Sequence, residues 1–297
     1  MPKKSMFNGF PDIIPPSISK GMSISELVTA LGQTSFEARN VYRGSRLYQR
    51  MLEDSDTIWL GLAGAGVAGG MGGMLISLLE AGFIDVICST GAQVYHDLHF
   101  AFDLPVKAIA PVCNDDVLRR HGDTRIYDIG IRDKETLDAQ DEIIRNFIRK
   151  SYKQHLSRGP LASWEFNFYL GKWVLENSKY PERSFVAKAA ELGVPIFWDS
   201  LANHSIAMNL VLTDRKGFPI TLSAQKDIFD SAATVFSSGK TGFMVLGGGG
   251  PKISFSKQAQ RSVKFLKLNL KAQSAGFRSV QRLKKREACP DVPSANR

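Results

Sequence analysis

Three glycines have the spacing with the clearest chemical meaning in the chain. Gly64, Gly66 and Gly69 follow the pattern G-x-G-x-x-G, after the apolar run Ile58–Ala63 and before a helical pattern. Such glycines let a backbone approach a pyrophosphate, and the N-terminus of the next helix offers it unpaired N–H groups. The pattern indicates dinucleotide binding. Tight helix–strand packing is the alternative, because Asp85, the acid at the expected separation, begins its strand instead of ending it.

Polar side chains follow two further apolar runs. The first group is the segment 89–99 (Ser-Thr-Gly-Ala-Gln-Val-Tyr-His-Asp-Leu-His), and the second is 198–205 (Trp-Asp-Ser-Leu-Ala-Asn-His-Ser). Either group could hydrogen-bond a cofactor or an amine, and either could instead cap a helix. His96, Asp97 and His99 are too closely spaced for a metal site and lack a matching partner motif, so no metal is predicted.

A second glycine run, Gly247–Gly250, precedes Pro251. Successive glycines form a nest of N–H groups suited to phosphate, and the proline fits the first turn of a helix. The segment Ser238–Thr241 ends like an ATP-binding P-loop. However, Thr234 stands where the leading glycine belongs, and the segment precedes its strand, so ATP binding is not predicted.

Apolar strands alternate with helices along the chain, which predicts an α/β fold with a parallel, Rossmann-like sheet covered by helices on both faces. The predicted strands are 58–63, 84–89, 194–198 and 242–246. The predicted helices are 27–31, 34–52, 71–81, 95–100, 134–150, 161–192 and 224–236, of which the first two open on capping boxes at Ser23–Glu26 and Thr34–Glu37. Parallel α/β sheets bind ligands at the carboxyl ends of their strands, where the glycine and polar segments fall.

Composition divides the 297 residues into three parts: an irregular N-terminal arm (1–22), one NAD-binding α/β domain (23–251) and a basic C-terminal tail (252–297). The tail holds 12 Lys and Arg against two acids, whereas the rest holds 26 basic and 27 acidic residues. The tail lacks motifs that would place bases or grooves, so a nucleic-acid partner is not predicted.

The remaining composition excludes several classes of protein. No run of about 18 apolar residues occurs, so no membrane span is expected. Residues 1–22 lack the apolar core of a signal peptide, which predicts a cytoplasmic location. Cys88, Cys113 and Cys289 are far apart, and their spacing supports neither a disulfide framework nor a zinc site.

Four segments together resemble deoxyhypusine synthase, and most of all its bacterial deoxyhypusine synthase-like branch. They are 31–40 (Leu-Gly-Gln-Thr-Ser-Phe-Glu-Ala-Arg-Asn), 89–98 with its Ser-Thr-Gly-Ala and His-Asp-Leu, 193–197 (Gly-Val-Pro-Ile-Phe) and 246–252 (Leu-Gly-Gly-Gly-Gly-Pro-Lys). The resemblance covers roughly residues 19 to 260.

The resemblance implies a homotetramer with active sites at subunit interfaces. It implies that NAD takes a hydride from a polyamine such as spermidine, and that an aminobutyl group then passes through an imine on an active-site lysine to an amine acceptor. His96 and Asp97 would face the polyamine donor. The implied cofactor contacts are Gly64, Ala65, Ala68, Thr90, Gly91, Ala92, Asn203, Gly247, Gly248 and Gly249.

The chain departs from the family at positions that matter for chemistry. Tyr95 and His96 replace paired glutamates, and Asn203 and Met208 replace aspartates. The Trp-Gly-Lys motif that carries the nucleophilic lysine is absent, and the resemblance stops near Gln260. We therefore expect impaired activity and a divergent or truncated C-terminus, for which a frameshift is our hypothesis. The alternative is a non-catalytic remnant of the family that binds NAD or a partner.

Overall fold

The computed structural model describes residues 5–251. The chain divides into two compact units between Asp56 and Thr57. This division falls inside the stretch 23–251 that the sequence analysis treats as one domain, and the boundaries expected after residues 22 and 251 stay predictions. Within residues 5–251, no helix combines the length and apolar character needed to cross a membrane.

The first unit contains the helices α1 (Ile24–Leu31) and α2 (Phe36–Glu53). The capping box of α1 is confirmed: the Ser23 hydroxyl accepts from the Glu26 amide, and the Glu26 carboxylate accepts from the Ser23 amide at 2.7 Å. The second predicted box is wrong. The Thr34 hydroxyl donates to the Leu31 carbonyl at 2.7 Å, and α2 starts one residue later than that box requires.

The described part of the second unit contains these strands: β1 (Thr57–Leu62), β2 (Val86–Ser89), β3 (Val106–Ala108), β4 (Asp123–Ile126), β5 (Ile129–Arg132), β6 (Ile196–Trp198) and β7 (Thr241–Leu246). Its α-helices are α3 (Gly72–Glu80), α4 (Gly91–Ala101), α5 (Asp115–Arg120), α6 (Ala139–Ser151), α7 (Ser163–Asn177), α8 (Phe185–Leu192), α9 (Ser205–Asp214) and α10 (Ala224–Ser237).

The main sheet has the strand order β6-β2-β1-β7, and all its strands are parallel. In the centre of the register, Leu60 of β1 lies between Ile87 of β2 and Met244 of β7. The four predicted strands are these four, so the predicted α/β fold with a parallel sheet is confirmed.

The two faces of the sheet bury alternate residues of the same strands. One face packs in the larger core with α3, α4, α6, α7, α8 and α9. Its strand residues include Leu60, Ile87 and Ile196. The other face presents Trp59 and Phe197, which pack with side chains from the start of α7 and from α10. Both faces are therefore covered, as apolar parallel strands require.

The sequence analysis missed a second, antiparallel sheet in the order β3-β5-β4. Its strands are three or four residues long and mostly half-exposed, too short for an alternating pattern to stand out. This small sheet lies against the glycine-rich turn after β1, because a Cβ placed on Gly69 would be 3.6 Å from the Ile129 side chain.

The predicted helices differ from the structure mainly at their ends. Helix α4 begins at Gly91, four residues before its predicted start. A single π-helical turn, Val67–Met71, precedes α3. The predicted helix 161–192 is divided into α7 and α8 by a break that contains the short 3-10 turn Pro181–Arg183, because proline removes a backbone donor from a helix interior.

Candidate functional site

Four turns meet at the carboxyl edge of the main sheet. Because β1, β2, β6 and β7 are parallel, the turn that follows each of them lies on the same side. Backbone hydrogen bonds join the strand ends and turns: Ala63 N–H to Leu246 O at 2.9 Å, Thr90 N–H to Leu62 O at 3.1 Å and Asp199 N–H to Ser89 O at 3.0 Å. The gathering of the glycine and polar segments at one edge is therefore confirmed.

The strand order reverses between β1 and β7. The chain moves from β1 to β2 to β6 in one direction, and then places β7 on the other side of β1. Open parallel sheets bind ligands in the crevice at such a reversal. Two glycines face each other there, since a Cβ on Gly64 would be 3.7 Å from the Gly247 Cα.

These two glycines cannot carry side chains without distortion. Their φ angles are +79° at Gly64 and +86° at Gly247, in the left-handed region that side chains disfavour. A Cβ on Gly247 would also collide with the Ala63 carbonyl oxygen. At Gly64 and Gly247 the crevice between β1 and β7 is therefore lined by main-chain atoms without side chains.

Gln93 anchors the turn after β1. Its side chain is buried, donates to the Gly64 carbonyl and accepts from the Val67 amide at 3.1 Å. The side-chain amide of Gln93, on α4, thus holds the turn after β1 in place. The sequence analysis did not single out Gln93, because one glutamine in a helical pattern carries no distinctive spacing.

The residues expected to contact a cofactor differ in exposure. Ala65, Thr90 and Ala92 are half-buried, and the exposed ones are Gly64, Asn203, Gly247, Gly248 and Gly249. Gly91 and Ala68 are buried, and the Gly91 Cα packs directly against the His204 ring. All ten lie on the turns or at the helix starts that follow the strands, and their contacts with a cofactor stay predictions.

His204 caps α9 at the same edge. Its Nδ1 accepts from the Ala207 amide at 3.3 Å, and its ring lies edge-on to Trp198 with centroids 4.4 Å apart. Burial lowers the pKa of His204 to about 4, so the ring is neutral near pH 7. The residue therefore joins the starts of α4 and α9.

Asp97 is fully buried, and its carboxylate binds the start of α8. One oxygen accepts from the Phe185 amide at 3.0 Å, and the other accepts from the Val186 amide at 3.2 Å and from the Ser184 hydroxyl. Burial raises the pKa of Asp97 to about 7, against the lowering effect of these hydrogen bonds. Asp97 thus stabilises the contact of α4 with α8, while its contact with a donor stays a prediction.

His96 forms a pair with His99 on α4. The His96 Nδ1 and His99 Nε2 atoms are 3.0 Å apart, and burial lowers the pKa of both rings, that of His99 to about 3. Two neutral rings can share one N–H as donor and acceptor. Among residues 5–251, no three His, Cys, Asp or Glu side chains are grouped to hold a metal ion.

Asp85 does not take part in the site. Its carboxylate accepts from the Ile58 amide at 2.8 Å, beside the start of β1. It therefore lies at the amino end of the sheet, as its position before β2 indicated.

The fold and the turns at the carboxyl edge of the main sheet define the class of protein. It is a parallel α/β protein whose crevice between β1 and β7, where the strand order reverses, is lined by glycine backbone. A family model for deoxyhypusine synthase matches residues 26–278. The chain belongs to the deoxyhypusine synthase family. The match runs past Gln260, where the resemblance was expected to stop, so the basic tail is in part family sequence.

Relatives in archaea and cyanobacteria agree with this assignment. The chain is 32% identical over 257 residues to "Probable deoxyhypusine synthase 2" of Methanosarcina mazei, covering 86% of this chain and 72% of the relative. It is also 32% identical over 262 residues to the deoxyhypusine synthase-like protein of Thermosynechococcus vestitus, covering 84% of this chain and 64% of that protein.

A solved structure supports the fold. The solved structure "Crystal Structure of a putative deoxyhypusine synthase from Entamoeba histolytica" superimposes with a TM-score of 0.57 at 19% identity. The superposition covers 77% of each chain.

Proposed function

We propose that the chain is an NAD-dependent transferase scaffold that binds a polyamine such as spermidine, with an amine as the acceptor of an aminobutyl-type group. The observation that carries this proposal is the crevice between Gly64 and Gly247, where the strand order reverses and a side chain at position 247 would collide with the Ala63 carbonyl. Membership in the deoxyhypusine synthase family supplies the reaction class. A cytoplasmic homotetramer belongs to the same proposal.

The residues at the crevice fit the diphosphate of NAD. Gly247, Gly248 and Gly249 are exposed, and the chain turns helical at Gly249, so unpaired N–H groups are available there. Gly64 lies opposite and is held by Gln93. When bound, NAD accepts a hydride from a carbon beside an amine.

The donor would bind beside the cofactor along α4. Ala92 and His96 are four residues apart on this helix, so they share a face. His96 is half-buried and neutral, and can therefore accept a hydrogen bond from an ammonium group. In this proposal Asp97 acts through α8, by holding the helix in place, and His96 touches the donor.

Calorimetry with NAD tests the cofactor site. We expect wild-type protein to bind NAD, and Gly247→Ala to weaken binding at least about tenfold, because the new Cβ meets the Ala63 carbonyl. Gly239→Ala is the matched control: it lies just before β7, at the opposite end of the strand, and its Cβ meets nothing within 4 Å. No heat from wild-type protein at millimolar NAD would contradict the proposal.

Turnover separates the enzyme from a non-catalytic relative. The sequence contains no Trp-Gly-Lys, so we propose that incubation with NAD and spermidine, with or without putrescine, releases little or no diaminopropane. Robust release would show that another residue supplies the nucleophile. NAD binding without release fits the second candidate, a family member that retains the cofactor but not the transfer.

A further inference from the structure

Asp141 of α6 is a carboxylate held between two neighbouring helices. Its Oδ1 accepts from the Tyr95 hydroxyl of α4 at 2.9 Å and from the Asn209 side-chain amide of α9 at 2.8 Å. Two donors on one oxygen fix the orientation of the whole carboxylate. Tyr95 is buried, and its hydroxyl also lies 3.2 Å from the Leu137 carbonyl, so its single proton has two acceptors, of which the Asp141 carboxylate is the nearer; its ring fills the core.

The second oxygen of Asp141 is free to bind a ligand. Within residues 5–251 this Oδ2 accepts no hydrogen bond, and it is not among the buried polar atoms that lack a partner. Asp141 as a whole is half-buried. The side chain therefore exposes one acceptor oxygen, Oδ2, to solvent, and the hydrogen bonds to Oδ1 set its direction.

The carboxylate lies close to the carboxyl edge of the sheet. Helices α4 and α9 both begin there, where the His204 ring packs on Gly91. Tyr95 stands four residues into α4, and Asn209 follows His204 by five. At about 1.5 Å per residue, both donors lie roughly 6 to 8 Å from the helix starts.

The charges around Asp141 leave its negative charge available. Arg145, on the same helix, bonds to the Asn209 side-chain oxygen at 2.8 Å and to Glu142 at 3.0 Å, and no salt bridge within residues 5–251 joins it to Asp141. Glu142 also pairs with Arg149 at 2.5 Å, so both arginines direct their guanidinium groups to Glu142. His96 and His99 are neutral near pH 7, so neither repels a cation.

We propose that Asp141 binds a primary ammonium group of the polyamine, and that Tyr95 and Asn209 are its positioning residues. This inference rests on the proposed function. Asp97 cannot supply the charge, because both of its oxygens are taken by the start of α8. Position 95 of α4 carries a tyrosine where the family resemblance implies a glutamate. In this proposal Asp141 of α6 supplies the carboxylate instead, and Tyr95 holds it in place by a hydrogen bond.

Calorimetry with spermidine, in the absence and presence of NAD, tests this assignment. Asp141→Asn should weaken spermidine binding about tenfold or more, the loss typical of one charge-assisted hydrogen bond. NAD binding should equal that of wild type. Tyr95→Phe keeps the ring in place and removes only the hydroxyl, so a smaller, several-fold loss of spermidine affinity is expected from an unanchored carboxylate.

Glu135→Gln is the matched control, since it removes an exposed carboxylate, paired with Arg132, from the turn that leads into α6. It should leave spermidine binding unchanged. Wild-type affinity for spermidine in Asp141→Asn, or equal losses in Asp141→Asn and Glu135→Gln, would overturn the assignment. If Asp141→Asn unfolds, the Tyr95→Phe result decides: unchanged spermidine affinity refutes the role. NAD binding is measured in a separate titration, so the result for the cofactor proposal does not depend on the result for Asp141.

Discussion

Single aspartate side chains determine how the helices of the site are joined. Asp97 connects α4 to α8 through two backbone amides and the Ser184 hydroxyl, and Asp141 connects α6 to α4 and α9. Asp97 is fully buried, whereas Asp141 leaves one oxygen to solvent. The two aspartates therefore have different roles: Asp97 stabilises the fold, and Asp141 is the one that we propose binds a cation.

Asp97→Asn should change how stability depends on pH. The pKa of Asp97 is raised from 3.8 to about 7 on folding, so its stabilising effect is complete below about pH 4 and is lost as the pH rises to 7. The neutral amide has no such dependence. The variant should therefore cost more unfolding free energy at pH 5 than at pH 8, by on the order of 2 kcal/mol.

Urea unfolding of both proteins at the two pH values measures this difference. Asp227, His99 and His204 also have shifted pKa values, but they are common to both proteins and cancel on subtraction. Asp103→Asn is the control, because Asp103 is exposed and Lys179 lowers its pKa. An equal cost of Asp97→Asn at pH 5 and pH 8 would contradict the argument.

The residue types at the site were predictable, but their partners were not. Gly64 and Gly247 could be found from local glycine patterns, since the positive φ of each already favours glycine. Asp97 and Asp141 could not be told apart from sequence, because their roles depend on α8 and α9, which lie dozens of residues further along the chain.

At the scale of the elements, α7 and α8 approach each other closely at Gly171. A Cβ there would collide with the Val186 carbonyl and the Ala190 side chain. Helices that pack this closely need a small residue at the point of contact, because interiors are filled to crystal-like density. The contact places α8, and hence the amides that bind Asp97.

Gly171→Ala and Gly44→Ala should have opposite effects on stability. The first inserts a methyl group between packed helices and should destabilise the fold by about 1 to 3 kcal/mol. The second lies inside α2, where a Cβ meets nothing within 4 Å, and should stabilise that helix by up to about 1 kcal/mol. Thermal unfolding followed by circular dichroism compares them. A stabilising Gly171→Ala would refute the packing argument.

The buried strands followed from the sequence, and the partly exposed ones did not. Strands β1, β2, β6 and β7 are apolar because both faces of the sheet are covered, so their composition alone marked them. Strands β3, β4 and β5 are short and partly exposed, and tertiary pairing decides their conformation. Helix ends shifted where a side chain such as Thr34 bonded elsewhere.

At the scale of the whole molecule, α9 is apolar on two sides. It buries Ile206 and Leu210, yet Met208 and Val211 are each 61% exposed. A helix with apolar residues on its outer side is typical of a surface that another chain covers. This fits the homo-oligomer that the family resemblance implies.

Light scattering during size-exclusion chromatography should show wild-type protein at a mass of more than one chain. Val211→Glu should reduce that mass, because burying a carboxylate on α9 is costly. Glu176→Lys changes an exposed residue of α7 and should leave the mass unchanged. A monomeric wild type, or an assembly that tolerates Val211→Glu, would argue against an interface at this helix.

The placement of β7 beside β1 has a consequence for how the protein matures. The earliest strand of the sheet pairs with the latest described one, so their crevice closes only after the intervening chain has been made and has folded. Such distant pairing is slow. A nucleotide that recognises both turns would bind only the finished sheet and would draw the folding equilibrium toward it. If NAD is that nucleotide, as proposed above, refolding in its presence should give a higher yield of folded protein than refolding without it.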